Sequence, residues 1–253
     1  MLFRSNRYTR LKAISAFGFN FDWQLIHQKV ATIVGVGGLG SVASEMLARC
    51  GIGKLFLFDK DEVSIVNLNR MGFFEKDLGK SKVEVFSQYL NTVNPEVKII
   101  AIHGDIMLPG IDEEFEKAII TSDIILMGLD NFPARTFVNK KCVKLNRILV
   151  DAGAARSALS GHVHPIFPKT NACMACTGII RPPSESAPRG EPCVASLPTT
   201  MSILAGIQVQ ETLKILLGIG TPIDYLTYNA ISGQFHSHFT KRDVKCPVCG
   251  DVE

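Results

Sequence analysis

The stretch Val30-Ala31-Thr32-Ile33-Val34-Gly35-Val36-Gly37-Gly38-Leu39-Gly40 decides the fold. Val30 to Gly35 is a short apolar run that stops at glycines, and Leu39 to Cys50 then carries apolar residues at helical spacing. Glycines at a strand-to-helix junction permit a tight turn and close backbone approach. The helix start behind them offers free N–H groups to a phosphate. A second apolar run, Lys54 to Phe58, ends at Asp59, 19 residues beyond Gly40, where a ribose-binding carboxylate belongs.

Outward from this unit, Val97 to Ile102 and Ile124 to Met127 repeat the strand pattern, with a helical stretch at Lys82 to Asn91 between the second and third strands. Leu149-Val150 and Gly161 to Phe167 read as further strands. The alternation predicts an α/β, Rossmann-like fold, with a mostly parallel sheet and helices on both faces. From Pro168 to Pro198 the pattern dissolves into Pro, Gly, Ser and Cys, a length of loop that is rare in a compact domain unless it is functional. Pro198 suits the first turn of a helix running to Leu217. A chain of 253 residues fits one domain. Its expected parts are a helical arm (1–29), a nucleotide-binding core (30–167), a crossover loop (168–198), and a C-terminal helix with strands (199–253).

A net charge of +3 is too small to argue for nucleic acid or an anionic membrane. Met1 to Arg10 has no apolar core of a signal peptide, and Met201 to Leu217 is interrupted by Gln208, Gln210, Glu211 and Lys214, as in a buried helix. Seven cysteines without an export signal point to a reducing, cytoplasmic setting in which paired cysteines are metal sites more often than disulfides.

NAD and ATP both fit the glycines and Asp59. Asn67-Leu68-Asn69-Arg70, Lys82 and Asp130-Asn131 decide between them. Hydride transfer gives no reason for Arg, Lys and a further carboxylate at the phosphate end. Displacement at an α-phosphate does, because Arg70 and Lys82 neutralise charge growing on phosphate oxygens and Asp130 can hold magnesium. Gly79-Lys80-Ser81 looks like the end of a P-loop, but position 74 is Phe where that motif needs its first glycine.

Cys173-Met174-Ala175-Cys176 and Cys246-Pro247-Val248-Cys249 supply four soft ligands with the spacing of a closed tetrahedral zinc site. Two separate redox sites are the alternative, yet neither pair opens a βαβ unit as a thioredoxin-like motif would. Cys193, in Gly190-Glu191-Pro192-Cys193-Val194-Ala195-Ser196, stands outside both pairs as a candidate nucleophile or a semi-buried small residue. Cys50 and Cys142 lie in apolar helical contexts and read as core. His162, His164, His236 and His238 are assigned no role, and Glu211 with Lys214 read as a solvated helix face.

Val34 to Arg70, Lys82, Asp130-Asn131, both cysteine pairs and Cys193-Val194-Ala195-Ser196-Leu197-Pro198-Thr199-Thr200 together resemble the activating enzymes of ubiquitin-like proteins, over about Asn6 to Cys249. Arg49-Cys50-Gly51-Ile52-Gly53-Lys54 and the block around Cys193 are its most specific parts. The resemblance implies an ATP-dependent adenylation domain that works as a homodimer with one zinc. Its partners would be a ubiquitin-like modifier and a conjugating enzyme. Gly35, Gly37, Gly38 and Gly40 would cradle the phosphates, and Asp59 would face the ribose. Arg70 and Lys82 would hold the triphosphate, and Asn67 and Asn131 would line the nucleotide. Asp130 would hold magnesium, Cys193 would carry the modifier as a thioester, and Arg10 would reach the nucleotide of the opposite subunit. Asp105 stands where such enzymes are expected to carry asparagine, and the second cysteine pair is more tightly spaced than theirs. Such enzymes continue past Cys249 with segments that engage their partners, so partner recognition is not readable from these residues. The nearest rival is a sulfur-carrier adenylyltransferase that serves molybdopterin, thiazole or tRNA thiolation. An NAD-dependent oxidoreductase with a zinc knuckle is a different class, and a nucleotide-binding scaffold without catalysis is a third.

Overall fold

Four of the five residues of β1 (Val30–Val34) are buried, because a parallel strand covered on both faces has no solvent side. The structure, a computed structural model, describes residues 6–17, 22–178 and 195–251. Cys193 lies outside the described residues.

β2 (Lys54–Asp59) and β4 (Ile124–Met127) flank β1 in parallel register. β3 (Lys98–His103) extends the sheet beyond β2, and β5 (Leu149–Ala154) extends it beyond β4. Beyond β5 the sheet turns antiparallel through β6 (Ser160–Ile166), β7 (Tyr225–Asn229) and β8 (Gln234–His238). The order β3-β2-β1-β4-β5-β6-β7-β8 matches the expected fold class. It also reverses direction of growth between β1 and β4. Open α/β sheets bind ligands at such a reversal, outside the carboxyl ends of the strands.

The N-terminal arm carries the short helix α1 (Thr9–Lys12), held by Tyr8, whose hydroxyl bonds Asn94 and Glu96 at 2.8 Å each. α2 (Gly38–Cys50), α3 (Lys82–Val93) and the long α6 (Pro198–Leu217) share one core, which includes Leu47, Leu55, Leu57, Phe86 and Leu204. α4 (Ile111–Thr121) and α5 (Phe132–Lys144) form the other, with Phe58, Phe115, Ile119, Cys142 and the two cysteine pairs. Gly51 ends α2 at φ +81°, the left-handed turn that favours glycine.

α6 departs from the expected solvated face. Glu211 is buried, accepting from the Ile223 N–H at 2.9 Å and pairing with Lys214 at 2.7 Å, because the chain folds back over the helix at 219–223. Gln208 is buried too, and its Nε2 donates to the carbonyls of Met127 and Val150, tying α6 to the ends of β4 and β5. Among the described residues no helix is long and apolar enough to cross a membrane.

Candidate active site

Beyond β1 the chain turns at Gly35, with φ +88°, and its N–H donates to the Phe58 carbonyl at 2.8 Å. Asp59 fastens the turn to β2: Oδ2 accepts from the Val36 N–H at 2.7 Å and Oδ1 from the Asp61 N–H at 2.9 Å. A β-carbon on Gly40 would enter the Gly35 carbonyl, so only glycine lets helix and turn approach this closely. Gly37 caps α2 without a side-chain hydrogen bond, leaving the first N–H groups of the helix to face an anion.

These elements border an open cavity at the carboxyl ends of β1, β2 and β4. Gly35, Gly37, Asp59, Arg70, Lys82, Asp130 and Asn131 all line it. Burial pushes the Asp59 carboxyl up, while the Lys82 charge and the two N–H donors act the other way. Lys82, nearly buried at the start of α3, bonds Asp61 at 2.7 Å. Among the described residues the buried Arg70 Nε has no hydrogen-bond partner. Asn131 is partly committed: its Oδ1 caps α5 through the Ala134 N–H at 2.9 Å. Asn67 lies in an adjoining hollow with Arg70, Lys82 and Asp130, its Oδ1 taken by the Ser64 N–H and hydroxyl.

Gly38 borders a second hollow, continuous with the first through Gly37, Arg70 and Asp130. Arg135, Arg156, His162 and Ser196 complete its polar lining. Sequence reasoning missed the network beneath it. Asp151 is fully buried in β5, gripped by Arg135 Nη2 at 2.8 and 2.7 Å and by His162 Nε2 at 2.9 Å. Burial would raise this carboxyl, but Arg135 and His162 outweigh it and hold the group at about 2. The only sequence signal was Arg135 itself, five residues after Asp130 on the helix that follows it. Asn69 Nδ2 also donates to the Ser196 carbonyl at 3.1 Å, joining the segment before α6 to the phosphate rim. Arg10 is exposed on α1 and lines none of these hollows among the described residues.

The four paired cysteines converge, with ligand atoms all within 4.8 Å of one another. The Asp243 and Val248 N–H groups point at the Cys176 and Cys246 sulfurs at 3.5 and 3.4 Å. Four thiols with N–H donors to sulfur fit a soft tetrahedral divalent ion and leave no open position. Cys142 is in the α4–α5 core as expected, and Cys50 packs, partly buried, against the other core; burial pushes their thiols up to about 12 and about 11, which makes them inert. Of the four histidines assigned no role, His164 is fully buried, His162 belongs to the network, and His236 and His238 are exposed.

A helix start without a side-chain cap, a carboxylate knitted to it, and Arg70 with Lys82 at the same rim form one cleft at the carboxyl edge of an α/β sheet. The ThiF family model matches residues 8–248, and the chain belongs to that family. It is similar to ubiquitin-like modifier-activating enzyme 5 of Aedes aegypti, with 41% identity over 98% of this chain and 64% of that protein. The same enzyme of Rattus norvegicus is 39% identical over 96% of this chain and 63% of that one. The chain thus spans a little under two thirds of these relatives. Among solved structures, E. coli MccB superposes with a TM-score of 0.84 at 24% identity, covering 99% of this chain and 74% of that one, and so shares the fold.

Proposed function

We propose that this chain activates a ubiquitin-like modifier at the expense of ATP. The C-terminal carboxylate of the modifier attacks the α-phosphate, the bond to the β-phosphate breaks, and pyrophosphate leaves. The Cys193 sulfur then attacks the acyl carbon of the adenylate and expels AMP. Its proton passes to solvent, and the modifier stays as a thioester for transfer to a conjugating enzyme.

The convergence of Gly37, Asp59, Arg70, Lys82 and Asp130 on one cavity carries this reading. Asp59 would accept from the ribose hydroxyls, and the N–H groups at the start of α2 would meet the phosphates. Arg70 and Lys82 would hold charge that grows on phosphate oxygens as the leaving bond stretches. Magnesium on Asp130 would screen the triphosphate further. The second hollow, with Arg135, Arg156 and His162, offers a cationic approach for the attacking carboxylate. Zinc on the four cysteines would pin the segment around Cys246 and Cys249 to that around Cys173 and Cys176. The full activity includes a homodimer in which Arg10 serves the opposite subunit, in a cytoplasmic setting. The names of the similar proteins support the modifier as substrate.

Cys193→Ala tests the scheme. The variant keeps ATP–pyrophosphate exchange with the modifier and forms no adduct that a thiol reductant removes; a retained thioester would sink the assignment. The family also supports a second reading, a sulfur-carrier adenylyltransferase, in which adenylate forms but the wild-type protein gives no reducible modifier band. ATP dependence with pyrophosphate release separates both from a nicotinamide-dependent oxidoreductase.

A further inference from the structure

Helix α5 runs between two sites. Asn131 caps its start, and Arg135, one turn on, grips Asp151. Asn139 follows one turn further along the same face and is fully buried against the first cysteine pair. Its Oδ1 accepts from the Met174 N–H at 3.3 Å, inside the Cys173–Cys176 knuckle. A backbone N–H needs an acceptor, so this contact fixes which arm of the amide is the oxygen.

The other arm is left over. Asn139 Nδ2 is buried and completes no hydrogen bond among the described residues, a costly state for an amide away from water. The side chain faces the Cys173 sulfur and favours a negative charge on it. Four thiolates on one divalent ion leave net negative charge, and N–H donors to sulfur spread it. Backbone groups supply such donors at Cys176 and Cys246. Asn139 stands where a side chain can supply another, to a thiolate that accepts more strongly than a thiol.

We propose that Asn139 donates a hydrogen bond to the metal-bound Cys173 thiolate and so ties α5 to the metal centre. This rests on the four cysteines holding zinc. Asn139 touches neither metal nor nucleotide, so it is a positioning residue. It steadies the sulfur it faces and, through α5, the turn that carries Arg135.

Cobalt in place of zinc is the first probe, because its charge-transfer absorption reports the electrons on the ligating sulfurs. In the whole chain, Asn139→Leu should move that band to longer wavelength, since a thiolate that loses a hydrogen bond gives up electrons more readily. Competition with a chelating indicator should show zinc bound about tenfold or more weakly, as loss of an outer-shell partner predicts. An unmoved cobalt band would overturn the assignment, because a purely structural loss weakens binding without touching the sulfur. A second measurement needs no variant. In the wild-type protein loaded with spin-active cadmium, the Asn139 side-chain amide protons should couple to the metal across the hydrogen bond. Absence of that coupling would overturn the proposal even if Asn139→Leu fails to fold. If the wild-type protein takes up none of these metals, the zinc reading itself falls and takes the proposal with it.

Discussion

The Arg70 guanidinium lies against Gly37, its Nη1 only 3.1 Å from the point a β-carbon there would occupy. Gly37→Ala therefore moves the arginine and not the fold, since the rest of α2 is untouched. The expected outcome is about tenfold or greater loss of ATP affinity by calorimetry with little change in melting temperature. Gly40→Ala gives the opposite result. Its β-carbon would enter the Gly35 carbonyl, and the loss should exceed about 3 kcal/mol in denaturant unfolding.

Lys82 and Asp61 form a pair of unequal members, the lysine nearly buried and the carboxylate more than half exposed. Asp61→Ala should cost less than about 1 kcal/mol of stability, as exposed partners do. Lys82→Ala removes the cation facing Asp59 and the phosphate end, and should slow pyrophosphate exchange about a hundredfold. Equal exchange rates in the two variants would remove Lys82 from the phosphate role.

The four cysteines should hold one zinc per chain by metal analysis. Chelation, or Cys173→Ser, should lower the melting temperature, with several kcal/mol at stake as in other structural sites. A metal-free protein that melts at the same temperature would refute the zinc assignment.

Acid should weaken the fold in two steps. Burial lowers His164 from 6.5 to about 4, so the unfolded chain takes up that proton first and stability falls between about pH 6.5 and 4, by about 3 kcal/mol in all. Asp151, lowered from 3.8 to about 2, lends stability that is complete above about pH 4 and is lost only as the pH falls towards 2. His164→Leu should flatten the unfolding free energy between pH 6.5 and 4, whatever its absolute stability. An unchanged slope would show that another group titrates there.

Much of the fold was legible because its signals are local. A buried parallel strand reads as an unbroken apolar run, so Val30–Val34, Lys54–Asp59 and Ile124–Met127 announced themselves, and a helix such as Gly38–Cys50 repeats on its own period. Glu211 was misread for the complementary reason. A charged residue on a helix is solvated unless something distant covers it, and the segment that covers Glu211 comes 12 residues later.

The glycine turn, the carboxylate after the second strand and the two cysteine pairs were fixed by sequence alone, since each depends on spacing along one short piece of chain. Tertiary structure alone decided which charges meet. Arg135, Asp151 and His162 come from α5, β5 and β6, and the sheet order that joins them leaves no periodic trace. The same holds for Asp105 and Lys60, which meet because β2 and β3 end side by side. Pairing between separate segments is a property of packing, and packing is settled by the whole core at once.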